Sequence, residues 1–260
     1  MTYFRSNRSS DSTRQHNSEE MVFGIRPVME AIEAGRDIDK LFIQKDEAGP
    51  LMRELLQLAR EHRIPVNKVP VEKLNTFTRK VHQGVVAFFS AVSYASLENV
   101  VHAAFEKGKS PVVLILDRVT DVRNFGGIAR SAECMGVDAI VVPFKGAAAI
   151  NGDAMKTSAG ALSHIHVCRE DSLVKTVQLL KNTGLTIIAC TEKAKDYINE
   201  VDFSGPCCII MGSEEDGISN ELIEKADIIT RVPMLGKVGS LNVGVATGMI
   251  LYEMVRQRGN

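Results

Sequence analysis

The sequence predicts an α/β protein in which a small α/β unit precedes a larger parallel β-sheet. Over the second half of the chain, continuous apolar runs of strand length alternate with helical stretches. Runs of this kind are typical of parallel strands that are buried on both faces. The chain has 260 residues, of which 45% are hydrophobic and 24% charged. It is therefore long enough for one large domain or two smaller ones.

The composition also excludes several classes of protein. No apolar stretch approaches the roughly 18 residues that a membrane span needs, and the N-terminus lacks the apolar core of a secretory signal. The five cysteines form no CxxC pair and no cluster with histidine, so neither a zinc site nor a disulfide framework is indicated. A cytoplasmic protein without membrane or metal is expected. The net charge of −1 does not by itself indicate nucleic-acid binding.

The chain divides into a leader, a front domain, a linker and a second domain. Residues 1–20 are polar and aperiodic, and are predicted to be a disordered leader. Residues 21–95 are predicted to form a small α/β domain of order β-α-β-α-β. Its strands are expected at 40–44, 66–69 and 85–92, and its helices at 28–33, 50–60 and 71–77. In the helix at 50–60, the spacing places Leu51, Leu55 and Leu58 on one buried face.

Residues 96–110 are predicted to be a linking helix, and residues 111–260 the larger domain. Pro111 opens the apolar runs of this domain. Its strands are expected at 112–117, 139–143, 186–190, 207–211 and 228–233, and its helices at 125–136, 151–162, 171–183, 219–226 and 242–257.

The first motif lies where the strand at 112–117 runs into a polar loop and a helix. Asn124 is predicted to cap that helix, whose first-turn amides could then bind an anion. Gly126 and Gly127 would allow another backbone or a ligand to approach closely. NFGGIA is not the GxGxxG of dinucleotide-binding folds, which opposes that function. A capped helix with packing glycines and no ligand explains the pattern equally well.

The second motif, CIIMGSEEDGIS, begins as a buried strand and continues into Gly212, Glu214, Glu215 and Gly217. No Lys-Ser/Thr follows the glycines, so it is not a phosphate-binding loop. Loops beyond the carboxyl ends of strands are where open α/β sheets bind ligands. Taken alone, the motif is better explained as a solvated acidic turn.

The third motif spans residues 231–258. Its loop at 233–240 has one proline and two glycines and is too apolar for an ordinary surface loop, so it is expected to line a site. Ser240 and Asn242 can cap the final helix. Small residues, including Gly244 and Gly248, allow that helix to pack closely against a neighbour, and a tightly packed core helix is the plain alternative.

Taken together and in this order, the motifs NFGGIARSA, GSEEDGIS and VPMLGKVGSLNVGVA resemble those of the SpoU (TrmH-like) branch of the SPOUT RNA methyltransferases. The segments VFGIRPVMEAI and HQGVVAF are similar to the substrate-binding domain that these enzymes often carry. The resemblance implies a C-terminal parallel sheet with a deep trefoil knot, S-adenosyl-L-methionine as cofactor, no metal, and a homodimer with active sites at the subunit interface.

The resemblance also implies roles for individual residues. Gly212, Val232 and Leu241 match family positions that contact the cofactor, and Met234 and Gly236 lie in the same loops. The implied catalytic residues are the essential arginine and the four polar residues that accompany it, namely Arg130, Asn124, Glu214, Ser240 and Asn242.

The closest kind of enzyme in this family methylates a ribose 2′-hydroxyl of a guanosine in 23S rRNA. The alternatives are a tRNA guanosine 2′-O-methyltransferase, a non-catalytic RNA-binding or ribosome-assembly protein, and an oxidoreductase on a dinucleotide-binding sheet. RNA contacts are expected from basic side chains of the front domain. The candidates are Arg26, Arg36, Arg53, Arg60, Arg63, Arg79 and Lys80.

Overall fold

Two β-sheets organise the chain in the computed structural model, which describes residues 21–259. The predicted leader at 1–20 lies outside the described residues. The front part runs in the order β1 (Met21–Phe23), α1 (Ile25–Glu33), β2 (Ile38–Gln44), α2 (Pro50–Glu61), β3 (Val66–Val69), α3 (Val71–Phe77) and β4 (Val85–Phe89). Its four strands are ordered β1-β4-β2-β3. β4 is antiparallel to β1 and β2, whereas β2 and β3 are parallel.

The predicted helices and strands of the front part are present, with two differences. Strand β1 was missed because three residues are too few to show a period of two. The buried face of α2 is Met52, Leu55 and Ala59, and the prediction for Leu51 was wrong, since 39% of it is exposed. Met52 and Ala59 lie three before and four after Leu55, so these three share the stripe that faces the sheet.

The second part holds the larger sheet. Its elements are α4 (Leu97–Glu106), β5 (Val112–Asp117), α5 (Val122–Cys134), β6 (Ala139–Pro143), α6 (Gly152–Thr157), β7 (His166–Glu170), α7 (Leu173–Asn182), β8 (Thr186–Cys190), β9 (Asp196–Tyr197), β10 (Cys207–Gly212), α8 (Asn220–Ile223), β11 (Ile228–Arg231) and α9 (Val243–Gln257). The seven strands are ordered β7-β6-β5-β10-β8-β11-β9, and every neighbouring pair is parallel. The predicted parallel sheet is therefore confirmed.

Helices cover both faces of this sheet. On one face, α5, α6 and α9 contribute buried residues such as Phe125 and Leu251 to a common core. On the other, α4, α7 and α8 form a second core. Helix α4, expected to be a linker, packs Leu97 and Val101 into that second core. Within residues 21–259, no helix has the length and apolar character that a bilayer crossing requires.

Helices α5 and α9 pack side by side, with Gly244 and Gly248 of α9 facing α5. A Cβ on Gly244 would lie 3.9 Å from Ile128, and one on Gly248 would lie 3.8 Å from the Ser131 hydroxyl. On the other side of α5, a Cβ on Gly126 would overlap the side chain of Thr157. The expected close packing of the final helix is thus present.

Candidate active site

A cavity of about 390 Å³ opens at the carboxyl ends of β8, β10 and β11. Its apolar lining includes Met211, Val232 and Ile250, and its remaining wall comes from the loops that follow the strands. Strand β8 lies between β10 and β11 in the sheet, so the loops that follow these three strands converge at one edge. This is the position at which open parallel sheets bind ligands.

Four of the five residues predicted to contact the cofactor, Gly212, Val232, Met234 and Leu241, line this cavity. Gly236 does not line it, and a Cβ there would meet nothing within 4 Å. The loop at 233–240 therefore faces the cavity only in part.

Three of the predicted catalytic residues meet beside the cavity. The Nδ2 of Asn242 donates hydrogen bonds to Glu214 Oε1 at 2.6 Å and to Asn124 Oδ1 at 3.0 Å. The Oδ1 of Asn242 accepts from the backbone amides of Gly244 at 3.0 Å and Val245 at 3.3 Å, so Asn242 caps α9 as predicted. The oxygen of the Asn242 amide thus caps the helix, while the nitrogen holds two other side chains.

Asn124 does not cap α5, and that prediction was wrong. The helix begins at Val122, and Asp121 accepts from the backbone amide of Asn124 at 2.8 Å. Asp is as good a cap as Asn, so the helix starts earlier in the polar loop. The side chain of Asn124 is consequently available to accept from Asn242.

The acidic loop after β10 is tied to the end of β5. Asp117 is only 5% exposed, and it accepts from the backbone amide of Ser219 at 2.7 Å. Arg118 donates to Asp216 at 3.2 Å and to the Gly217 carbonyl at 3.1 Å. These contacts anchor the part of the acidic loop that follows Glu214, so the loop is more than a solvated turn.

Arg130 and Ser240 are not part of this cluster. Arg130 lies exposed on α5 and lines neither the cavity nor the polar cluster. Ser240 lines the cavity, but it makes no hydrogen bond within the described part of the chain. One chain therefore assembles three of the five predicted catalytic side chains.

Sequence reasoning missed several residues that line the cavity, including four with polar side chains at the ends of β8 and β11. Thr191, Glu192 and Lys193 directly follow β8, and Arg231 ends β11. For residues 191–193 the signal was the position after a predicted strand, the same feature that identified the second motif, whereas Arg231 lay inside the strand predicted at 228–233. Arg231 lies 4.9 Å from the ring of Tyr197 and donates to its hydroxyl at 3.2 Å.

The chemistry of the lining favours a ligand with both apolar and polar parts. The Nε of Arg231 is buried and has no hydrogen-bond partner among the described residues, so a ligand acceptor could satisfy it. Burial raises the pKa of the Cys190 thiol, which therefore stays neutral at the cavity wall. Among residues 21–259, no His, Cys, Asp or Glu group is arranged to hold a metal.

Known proteins resemble both parts of the chain. Residues 111–252 match the model of the SpoU rRNA Methylase family, and residues 21–95 match that of RNA 2′-O ribose methyltransferase substrate binding. YacO of Bacillus subtilis, which is assigned to the TrmH family of tRNA/rRNA methyltransferases, is 34% identical over 246 residues. That match covers 95% of this chain and 98% of YacO.

Solved structures resemble the fold as well. The SpoU methyltransferase AviRb from Streptomyces viridochromogenes, in complex with the cofactor AdoMet, is 26% identical at a TM-score of 0.58, covering 92% of this chain and 90% of AviRb. A TrmH/SpoU tRNA modifying enzyme of A. aeolicus is 30% identical at a TM-score of 0.54, covering 61% of this chain and 84% of that one.

Proposed function

Because the chain belongs to the SpoU rRNA methylase family, whose members methylate RNA with S-adenosylmethionine, we propose that it methylates the ribose 2′-hydroxyl of a guanosine in 23S rRNA. The observation that carries the proposal is the hydrogen-bonded cluster of Asn124, Glu214 and Asn242 beside the cavity. The match of residues 21–95 to a 2′-O ribose methyltransferase substrate-binding domain supports the choice of a ribose oxygen.

The cavity fits S-adenosylmethionine. In the proposal, Gly212, Val232 and Leu241 contact it largely through backbone groups, and the apolar lining takes its uncharged parts. Arg231 lines the cavity, and in the proposal its guanidinium, whose Nε has no partner among the described residues, donates to an acceptor such as a carboxylate or hydroxyl oxygen. When bound, the cofactor supplies a methyl group that its positively charged sulfur makes electrophilic.

The chain must then align the ribose hydroxyl and assist the loss of its proton. Glu214 and Asn124 hold the amide of Asn242 in one orientation, so this cluster presents a fixed set of polar atoms to the ribose. Fixed alignment of two reacting groups contributes up to about 7–11 kcal/mol. The bound cofactor would supply the methyl group that the ribose oxygen takes up as the hydroxyl loses its proton.

Arg130 is proposed to stabilise the developing alkoxide and to hold the adjacent phosphate. Its guanidinium stays protonated in proteins, so it acts as a charged donor. The proton passes to the phosphate or to water. A pH–rate profile tests this role, because an arginine acting as a base would make the rate climb at high pH.

The exposed position of Arg130 supports a homodimer whose active sites are completed between subunits. Apolar side chains remain exposed on α9 and on the loop before it, including Leu235, Val238, Val245 and Tyr252. Exposed apolar patches of this kind mark interaction surfaces. The trefoil knot that the family resemblance implies is part of the same proposal.

Residues 21–95 are proposed to form an RNA-binding domain, and residues 111–260 the catalytic domain. The seven basic side chains proposed for RNA contact are all exposed. Arg63 already pairs with Asp171 of the larger part at 2.9 Å, which leaves the other six as the stronger candidates for phosphate contacts.

The test is methyl transfer from labelled S-adenosylmethionine to unmodified 23S rRNA or unmodified tRNA, with the product mapped by mass spectrometry. The proposal expects 2′-O-methylguanosine in 23S rRNA and its loss in the Arg130→Ala variant. Methyl transfer to tRNA alone would keep the proposed reaction but replace its substrate. The similarity to the tRNA modifying enzyme of A. aeolicus makes tRNA the second candidate substrate. Cofactor binding without transfer to either RNA would favour a non-catalytic RNA-binding protein.

A further inference from the structure

A second cavity, of about 400 Å³, lies between the small sheet and the loops that follow β5 and β6. Phe42, Lys40 and Asn67 line it from the small sheet, and Thr120 and Phe144 from the larger part. It shares no lining residue with the candidate active site. Its volume is within the roughly 300–1,000 Å³ of ordinary ligand sites.

Three partly exposed aromatic rings contribute to its walls, those of Phe42, Tyr94 and Phe144. Phe42 is supported from behind by Phe77 and Phe88, whose ring centroids lie 4.9 and 5.9 Å away. Phe144 starts the loop after β6, and the Arg169 guanidinium lies 5.6 Å from its ring. The rings of Phe42 and Phe144 come from the two parts of the chain, so the cavity offers aromatic contacts from the small sheet and from the loop after β6.

The same cavity is positively charged. Lys40, Lys145 and Arg169 line it together with a single carboxylate, Asp39. Asp39 is only 7% exposed and accepts from the Tyr94 hydroxyl at 3.1 Å. Lys145 is exposed and has no hydrogen-bond or ion-pair partner within the described residues. Its charge is therefore available to a ligand.

This second cavity also lies close in sequence to the hydrogen-bonded cluster of Asn124, Glu214 and Asn242. Thr120 lines it, and Asn124 is four residues further on. Four residues of chain span at most about 14 Å. A strand of RNA seated in this cavity would thus pass near the polar cluster.

We propose that this interdomain cavity binds an unpaired nucleotide that neighbours the methylated one, with its base against Phe42 and Phe144 and its phosphate near Lys40 and Lys145. The inference rests on the RNA methyltransferase function proposed above. Aromatic faces combined with cations are the recognition chemistry of single-stranded nucleic acid. The single buried and paired carboxylate adds little repulsion.

The test uses the full-length protein and a short, fluorescently labelled single-stranded RNA of mixed sequence, with binding followed by anisotropy. Phe144→Leu keeps an apolar side chain but removes the ring, and should weaken binding by about 5- to 100-fold, the range for loss of one stacked base. Phe144→Tyr keeps the ring and should bind as the wild type does. Lys145→Glu should weaken binding and reduce its salt dependence by about one counterion.

Lys107→Glu is the matched control, because Lys107 is an exposed lysine at the end of α4, before the amino end of β5 and away from the active-site edge. It should leave RNA binding unchanged. RNA that contains a photoreactive uridine should crosslink to peptides that include Phe42 or Phe144.

The inference is overturned if Phe144→Leu and Lys145→Glu, shown to be folded by thermal melting, bind RNA as tightly as the Lys107→Glu control. Crosslinks confined to other peptides would also overturn it. S-adenosylmethionine titration and methyl transfer separate this result from failure of the proposed function. If only the inference fails, S-adenosylmethionine binding and methyl transfer are both retained. If the proposed function fails, methyl transfer is lost, while the variants still bind RNA more weakly than the wild type.

Discussion

Asn242 donates a 2.6 Å hydrogen bond to Glu214 and so joins the start of α9 to the acidic loop after β10. The same side chain caps α9 through its oxygen. Its amide nitrogen therefore serves the candidate site while its oxygen serves the fold. This division allows the two roles to be separated by substitution.

Asn242→Ser should remove the site function and keep the cap. Serine supplies a capping oxygen as well as asparagine does, but it cannot reach both Glu214 and Asn124. We expect stability to change by less than about 1 kcal/mol and methyl transfer to fall about 100-fold. Asn151→Ser, the same change at the cap of α6, is the control and should retain transfer. An equal loss of methyl transfer in Asn242→Ser and Asn151→Ser would contradict a special role for Asn242.

Gly212→Ala should destabilise the catalytic part of the chain. A Cβ at this position would overlap the backbone of Gly217 and Ile218, and backbone cannot move aside as a flexible side chain can. We expect a loss of about 1–3 kcal/mol in urea unfolding, together with weaker S-adenosylmethionine binding. Gly205→Ala adds a methyl group where nothing lies within 4 Å, so its unfolding midpoint should match the wild type.

Arg130→Ala should abolish transfer without affecting the fold. Arg130 is exposed and its side chain packs into neither core, so the free energy of unfolding should change by no more than about 0.5 kcal/mol. Methyl transfer should fall at least about 100-fold, with S-adenosylmethionine affinity preserved. Lys175→Ala, on the opposite helical layer, should keep full transfer. A normal rate in Arg130→Ala would remove Arg130 from the mechanism.

Glu253 should stabilise the fold at neutral pH and lose that contribution in acid. Hydrogen bonds from Arg256 and then Gln257 lower the pKa of this carboxyl to about 2. A pKa below its unfolded value means that the ionised group stabilises the fold above about pH 4. That contribution disappears as the pH falls toward 2. Thermal melts should show Glu253→Gln less stable than wild type at pH 7, with the difference vanishing near pH 2. Glu224→Gln, at an exposed carboxyl that has no ion pair within residues 21–259, should show no such trend.

Arg169→Lys should loosen the contact between the two parts of the chain. Arg169 donates to the carbonyls of Ile38 at 3.1 Å and Arg63 at 3.2 Å, and its guanidinium lies 4.0 Å from the Tyr94 ring. A lysine ammonium cannot reproduce this planar set of contacts. Hydrogen exchange should increase in β2 while the core of the large sheet stays protected. Unchanged exchange in β2 would show that other contacts hold the two parts together.

The periodic elements were predictable because their signals are local. The apolar runs at 112–117 and 207–211 emerged as adjacent buried strands, and the glycines of α9 lie against α5 as expected. The cap of α5 was misplaced because Asp121 and Asn124 are both good caps, and local sequence does not choose between them. Thr191 was missed because it belongs to no recognisable motif, and Arg231, the first residue of the third motif, was assigned to a predicted strand rather than to the site.

By itself, the sequence determined the fold class, the family and several of the residues around the cavity, since hydrophobic period and motif order are properties of neighbouring positions. Only the tertiary structure decided which of those residues meet. Asn124, Glu214 and Asn242 are brought together by the order of parallel strands and by the packing of α5 on α9, whereas Arg130 is left exposed. The cavity between the two parts of the chain likewise depends on contacts such as that of Arg169 with Ile38. Contacts between residues more than a hundred positions apart depend on how sheets and helices stack, and this information is not contained in any local pattern.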